Sequence, residues 1–195
     1  MVVSVSNAVN SCAAVNSVRS EKRRVVYNGL DVRNKFWVDE NTRISNGDVS
    51  HLTILMYGRL LKWKGFHVLV DALGLVKKEI LQSIRCKIAG SVSDFDYMDE
   101  LEASIEERKL NEIVQFIGEV PRSAIPSEIR LADVVIHASI QPDPLPTVVL
   151  EGMAMGKIVI ATRGGGVEEM VNNGFNGFLP RRRSSNNPPT TSAFG

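Results

Sequence analysis

Cysteine is scarce. Cys12 and Cys86 are the only two in 195 residues, too few for a disulfide scaffold and too far apart for the close-spaced pair of a zinc or redox site. A reducing, cytoplasmic setting is the simple expectation. Long apolar runs are missing as well: none approaches the roughly 20 residues that a membrane-spanning helix needs. The opening stretch, MVVSVSNAVNSCAAV, has no basic segment ahead of it and is interrupted by Asn7 and Asn10, so it makes a poor secretion signal. Nor is there an excess of charge of either sign. Lys and Arg total 23 against 22 acids, a net charge of +1, which gives no global field to draw nucleic acid or an anionic membrane. Nucleic acid is therefore not an expected partner, and any anion site must be local. The three histidines, His51, His67 and His137, are scattered. No metal site is expected, and each reads as a surface or satisfied core residue. Trp37 and Trp63 read as packing residues.

What is present is a soluble-domain composition, 44% hydrophobic and 23% charged, enough for one domain with an apolar core and an appendage. From Leu52 onward, short apolar runs alternate with helix-period segments, the pattern of βαβ units in a parallel sheet buried on both faces. The strand candidates are Leu52 to Gly58, Ile84 to Gly90, Ile113 to Gly118, Val134 to Ser139 and Lys157 to Thr162. Between them, Val68, Leu69, Ala72, Leu73 and Val76 mark one helix face, and Met98, Leu101 and Ile105 another. Further helices are expected over Ser123 to Leu131, Pro146 to Met155 and Val167 to Asn172. The fold class is α/β, a doubly wound parallel sheet of six strands over roughly residues 52 to 180, with function in the loops after the strands.

The ends break this pattern. Met1 to Ser6 reads as a short strand and Asn7 to Val18 as a weak helix, followed by a basic turn and the strand RRVVYNG; Asn34 to Ser50 reads as a polar loop. The tail RRRSSNNPPTTSAFG is low in complexity and cannot bury enough apolar surface to order itself. The expected organisation is a segment at 1–22, a Rossmann-like domain at 23–180 and a disordered tail at 181–195.

Three segments carry chemistry. In QPDPLPTVVLEGMAMG, Gln141 to Gly156, Asp143 and Glu151 stand seven intervening residues apart, with Pro146 at the first position of a helix. The amides of Thr147 and Val148 then point out of the positive end of the helix dipole, a phosphate site flanked by two carboxylates that suit sugar or ribose hydroxyls. The plain alternative is a loop acid and a helix-surface glutamate. In GRLLKWKG, Gly58 to Gly65, Arg59 and Lys64 lie across a turn at a strand's carboxyl end, where two cations can clamp a diphosphate; Lys62 competes for that role, and solvated loop charges are the alternative. ATRGGGVEEMV, Ala161 to Val171, fails the dinucleotide fingerprint because Glu169 stands at the third glycine position, and Gly152 to Lys157 fails the Walker A pattern. Its glycines serve either a ligand's approach or a tight turn.

Taken in order, VYNGLD (Val26 to Asp31), GRL-x(4)-KG, KIAG, VQFIGEV, ADVVIHAS, DPLPTVVLEGMAMGK and GGVEEMVNNGFNGFL resemble the C-terminal, donor-binding half of retaining family 4 (group 1) glycosyltransferases of the GT-B fold, from about residue 2 to residue 180. The resemblance implies transfer of a sugar from a nucleotide-diphosphate sugar, with retention, to a glycan, lipid or small-molecule acceptor that the sequence does not identify. Arg59 and Lys64 match the basic pair on the donor diphosphate. Glu151 matches the ribose-binding second acid of the E-x(7)-E motif, and Asp143 its first acid, which contacts the donor sugar. Leu145, Pro146, Thr147 and Val148 match the loop and helix start whose amides meet sugar and phosphate, while Gly58 and the Gly118 to Val120 segment lie by the nucleotide. No cofactor or obligatory metal is implied; cations and dipoles stabilise the leaving diphosphate.

Three departures stand out. Asp143 is one methylene shorter than the usual Glu, Pro146 replaces a common Gly and removes an amide, and Ser91 and Val92 follow Gly90 where a second glycine is common. The N-terminal acceptor domain is represented by what looks like its last strand and helix, Val2 to Val18, so the chain by itself is expected to be inactive. The rival reading is a noncatalytic nucleotide-sugar-binding module acting only with a separate N-terminal partner chain. The expected location is cytoplasmic, with the intact enzyme free to lie at the membrane periphery.

Overall fold

The computed structural model describes residues 1–15, 18–37 and 51–180. The tail from 181 onward and most of the polar loop expected at Asn34 to Ser50 lie outside the described residues. In chain order the elements are β1 (Val2–Ser4), α1 (Asn7–Val15), β2 (Arg23–Val25), β3 (Leu52–Tyr57), α2 (Phe66–Gly74), α3 (Lys78–Leu81), β4 (Ile84–Ala89), α4 (Phe95–Glu107), β5 (Val114–Gly118), α5 (Ile125–Leu131), β6 (Val134–His137), α6 (Thr147–Ala154) and β7 (Ile158–Ala161). Single 3-10 turns occur at Ser20–Lys22, Lys62–Lys64 and Gly166–Glu169.

Five strands form one sheet in the order β5-β4-β3-β6-β7, every pair parallel. The alternation of side chains along a strand divides the core between the two faces. Ile54 and Met56 of β3 join Cys86 and Ile88 of β4 beneath α2 and α4, where Leu69, Val70, Leu73, Leu101 and Ile105 are buried. Leu55 points the other way, with Val135, Ile129, Met155 and Phe36. A third apolar cluster joins Val149 of α6 to Val159 and Ala161 of β7 and to Val167 and Val171. Strands covered on both faces read as continuous apolar runs, which is why they stand out in the sequence.

The sheet has five strands where six were expected. At the sixth position there is one bridge: Phe178 pairs with Ile160, its N–H donating to Val159 O at 2.8 Å and its C=O accepting from Ala161 at 2.9 Å. The segment turns back on itself at Asn173–Gly177 just before this bridge, and Pro180, which has no N–H to give, follows it. The helix expected over Val167 to Asn172 is one 3-10 turn, Gly166–Glu169. It stops because Asn176 takes over the next backbone groups: its Nδ2 donates to Met170 O at 3.1 Å and its Oδ1 accepts from Asn172 N at 2.7 Å.

The first strands form a separate parallel pair, β1 with β2. Helix α1 meets the rest of the molecule through Glu169, whose carboxylate accepts N–H bonds from Asn7 and Ala8 at 2.9 and 2.8 Å and the Tyr27 hydroxyl at 2.9 Å. An anion at the helix N-terminus satisfies two of its unpaired amides.

The helix α4 stripe gives a direct check of the core. Leu101→Ala should lower unfolding free energy by about 2–5 kcal/mol, because it empties a fully buried site. Phe95→Ala, on the same helix at a residue 74% exposed, should stay within about 0.5 kcal/mol of the parent. Urea unfolding of both variants, monitored by circular dichroism, measures the contrast; equal losses would mean the face of α4 is misassigned.

Candidate functional site

The sheet order sets where a ligand can go. The chain runs outward from β3 through β4 to β5, then returns to the other side of β3 as β6 and continues to β7. The connections leaving the carboxyl ends of β3 and β6 therefore diverge and leave a crevice between them. Gly58 to Gly65 follows β3 and Gln141 to Pro146 follows β6, so the two segments singled out by sequence face each other across this crevice.

Their approach depends on close backbone contact. Gly65 has φ 78°, and a Cβ there would stand 2.0 Å from Ala138 O. Ile140 N donates to Trp63 O at 2.9 Å. These contacts place Lys64 beside the end of β6, where its Nζ lies 2.7 Å from Asp143 Oδ2 and 4.1 Å from the centre of the Trp63 ring. Asp143 is buried and its Oδ2 also meets His137 Nε2 at 3.3 Å. Burial raises the Asp143 carboxyl, but the hydrogen bonds and charges of His137 and Lys64 outweigh it, and the carboxyl is held below its ordinary 3.8.

The glycine turn after β7 supports the same loop from below. Gly165 and Gly166 lie against the backbone of Asp143 and Pro144: Gly166 N donates to Asp143 O at 2.9 Å, and a Cβ on Gly165 would stand 1.9 Å from that oxygen. A ligand's approach and a tight turn were the two uses expected of these glycines; the structure shows a turn, with positive φ at Gly164 and Gly165, that also packs backbone on backbone against Asp143 and Pro144.

Pro146 sits one position earlier than expected. Its ψ of 117° is extended, so it caps α6 and Thr147 is the first helical residue. The amides of Thr147 and Val148 remain in the first turn, where no intrahelical acceptor exists, and Val149 N reaches Pro146 O at 3.2 Å. Leu145 is buried, and its carbonyl is 3.5 Å from Asn28 Nδ2. Glu151 is buried one turn into α6 and accepts the Tyr57 hydroxyl at 2.5 Å. Burial, then the neighbouring Glu151 charge, push the Tyr57 hydroxyl far up, so it stays protonated as the donor.

Arg59, two residues beyond the end of β3, is exposed and is in no ion pair among the described residues. Lys62, the competing cation, is turned away to Glu100 at 2.7 Å. A cavity of about 150 Å³ opens between Gly58, Gly90, Glu119 and Val120, with the Tyr57 ring as one wall. Gly118, at φ 72°, accepts the Gly90 N–H at 2.8 Å beside this cavity. A larger hollow of about 410 Å³ near Arg163 is lined by both Glu168 and Glu169; two carboxylates, one already pairing Arg163 at 3.1 Å, make it a poor home for a polyanion. Among the described residues no cluster of His, Cys, Asp and Glu could hold a metal ion, and no helix is long and apolar enough to cross a membrane.

The expected site residues thus come together in two groups, Lys64 with Asp143, and Glu151 with the cavity walls through Tyr57. Tyr57 and His137 were missed. His137 was read as a surface or satisfied core residue; it is buried against the site acid, with Nδ1 lacking a partner among the described residues. Its position at the carboxyl end of a buried strand, six residues before Asp143, was the available signal.

The five-stranded parallel sheet with helices on both faces matches solved glycosyltransferases of the GT-B fold. The chain belongs to the family "Glycosyl transferases group 1", whose sequence profile matches residues 38–186. It is 26% identical over 183 residues to an uncharacterized glycosyltransferase of Methanocaldococcus jannaschii, covering 94% of this chain and 46% of that protein. It is also 35% identical over 144 residues to a D-inositol 3-phosphate glycosyltransferase of Corynebacterium urealyticum, covering 72% of this chain and 34% of the relative. Among solved structures, Anabaena HepE in complex with UDP and glucose superposes with a TM-score of 0.82 at 31% identity, over 93% of this chain and 49% of HepE. The C-terminal domain of LpcC, a group 1 glycosyl transferase of Francisella tularensis, superposes at 0.68 with 28% identity over 80% of this chain and 82% of that one. The chain spans about half the length or less of the curated relatives it matches.

The Lys64–Asp143 contact has a definite pH signature. A carboxyl with a lowered folded-state pKa adds stability above its ordinary value, and that contribution is lost as pH falls through the folded value. Asp143→Asn should therefore lose about 1–3 kcal/mol at pH 7, the range for a hydrogen bond to a charged group, and the gap to the parent should narrow as pH drops below 3.8. Urea midpoints of both proteins at pH 7 and pH 3 measure it; a gap that widens in acid contradicts the assignment.

Proposed function

We propose that this domain binds the nucleotide-diphosphate-sugar donor of a retaining, family 4 type glycosyltransferase. The observation that carries the reading is the meeting, at one crevice, of Lys64, Asp143 and the free amides of α6. Lys64 and Arg59 supply positive charge for a diphosphate, and Thr147 and Val148 supply N–H groups at the positive end of a helix. Asp143 faces the sugar. Glu151, oriented by Tyr57, takes the ribose hydroxyls, and the cavity by Gly118 and Val120 takes the base. The complexes of Anabaena HepE with UDP and with UDP-glucose support a uridine nucleotide as the first ligand to try.

In the transfer, the bond from the anomeric carbon to the diphosphate oxygen breaks while an acceptor hydroxyl bonds to that carbon on the same face and gives its proton to the departing diphosphate oxygen. Negative charge grows on the leaving diphosphate, and fixed cations and amide dipoles stabilise it without requiring a metal. The acceptor, a glycan, lipid or small molecule, would be presented by an N-terminal domain, in the same polypeptide or as a partner chain. The proposed location is cytoplasmic, with the intact enzyme at the membrane periphery.

Two measurements test this. Calorimetry with UDP, GDP and a panel of their sugars should detect weak binding of at least one nucleotide, and Lys64→Ala or Arg59→Ala should weaken it by about 1–3 kcal/mol, the scale of a charge-assisted hydrogen bond. Unchanged affinity in both variants would show the clamp to be misplaced. The 195-residue chain, incubated with donor and mixed acceptors, should bind donor yet transfer no sugar at ordinary enzyme rates, because positioning of the acceptor supplies much of the rate. Robust transfer would make the chain a whole catalyst.

A further inference from the structure

His137 takes no part in the donor contacts proposed above, yet its surroundings are unusual. It is the last residue of β6, with its backbone locked to Ala161 by the sheet, and it is 5% exposed. Nε2 lies 3.3 Å from Asp143 Oδ2, while Nδ1 is buried with no partner among the described residues. Facing a carboxylate, Nε2 must carry a proton whether the ring is neutral or charged. A ring kept only for packing would leave Nδ1 shut away from water for no return, and an aliphatic side chain would fill that space without the penalty. The bond from Nε2 to Asp143 is what distinguishes histidine here.

Asp143 Oδ2 accepts from both Lys64 and His137. Oδ1 has no protein partner among the described residues and is not shut off from solvent. Lys64 sits on a flexible four-carbon stem and is partly exposed, 23% by its side chain. On the reading above, a diphosphate competes with Asp143 for that ammonium. If Lys64 were the sole donor, its departure would leave a carboxylate, 9% exposed, without a partner and free to turn. His137 cannot swing away, because its backbone is held in the sheet.

We propose that His137 is a positioning residue: it holds Asp143 Oδ2 when Lys64 turns to the diphosphate, so that Oδ1 stays directed at the donor sugar. This rests on the donor-binding reading and adds a residue to it. Lys64 answers to the nucleotide's phosphates, His137 to the orientation of the sugar-facing acid.

The test compares UDP with UDP-glucose, by calorimetry, on the parent chain, His137→Leu and His137→Gln. The expected result is that His137→Leu binds UDP within about twofold of the parent, which also shows that it is folded. Its preference for UDP-glucose over UDP should fall by about tenfold, the value of one hydrogen bond to a charged group. His137→Gln, which restores an N–H near the place of Nε2, should recover most of the preference. An unchanged preference in His137→Leu overturns the proposal and leaves the donor site standing. Equal weakening of both ligands assigns His137 a merely structural role and also overturns it. If the parent binds neither ligand, the donor-site reading falls and takes this one with it. A measurement without ligand keeps the two apart: long-range proton–nitrogen spectra of the parent should show His137 with Nε2 protonated, and a ring protonated only at Nδ1 rules the contact out.

Discussion

The pairing of β3 with β4 on one side and β6 on the other is the constraint on which the rest depends. A strand hydrogen-bonded in parallel on both edges must be covered on both faces, which places α2 and α4 over one side and α5 and α6 over the other. The same arrangement sends the chain in opposite directions from the ends of β3 and β6, and the crevice is what that divergence leaves. Lys64 and Asp143 are 79 residues apart in the chain, yet they meet because each stands on the first loop beyond one of these two strands. The polar chemistry follows from the topology of an apolar sheet.

Backbone proximity completes what topology begins. Gly65 against Ala138 and Gly165 against Asp143 are contacts in which a single added carbon would stand at or within 2.0 Å of a carbonyl oxygen. Three loops, after β3, β6 and β7, are thereby seated on one another as main chain rather than through side chains. This gives Asp143 a fixed backbone while leaving its carboxylate to choose among Lys64, His137 and a ligand.

Much of this was legible in the sequence because local rules suffice for it. The β3 to β7 runs, the stripes on α2 and α4, and the spacing of Asp143 and Glu151 all depend on near neighbours. Nothing local encodes the rest. Tyr57 reaches Glu151 across 94 residues, and the role of His137 exists only once β6 has been placed beside the loop that follows it. Pro146 was placed one residue too far into α6 because both positions suit a fixed φ and only ψ separates them. A sixth strand was expected without a segment assigned to it, and beside β7 only the Phe178–Ile160 bridge forms, because pairing of backbone amides is not encoded in a count of strands.

The attachment of α1 differs in kind from every contact within the sheet. Asn7, Ala8 and Tyr27 converge on the single carboxylate of Glu169 in an exposed setting, where water can replace each donor in turn. These are polar contacts that water can exchange, unlike the apolar burial that holds the sheet together. The β1–α1–β2 unit is thereby tied to the glycine-rich turn through Glu169, and the same turn supports Asp143 through Gly166, so one short segment joins the first strands to the site acid.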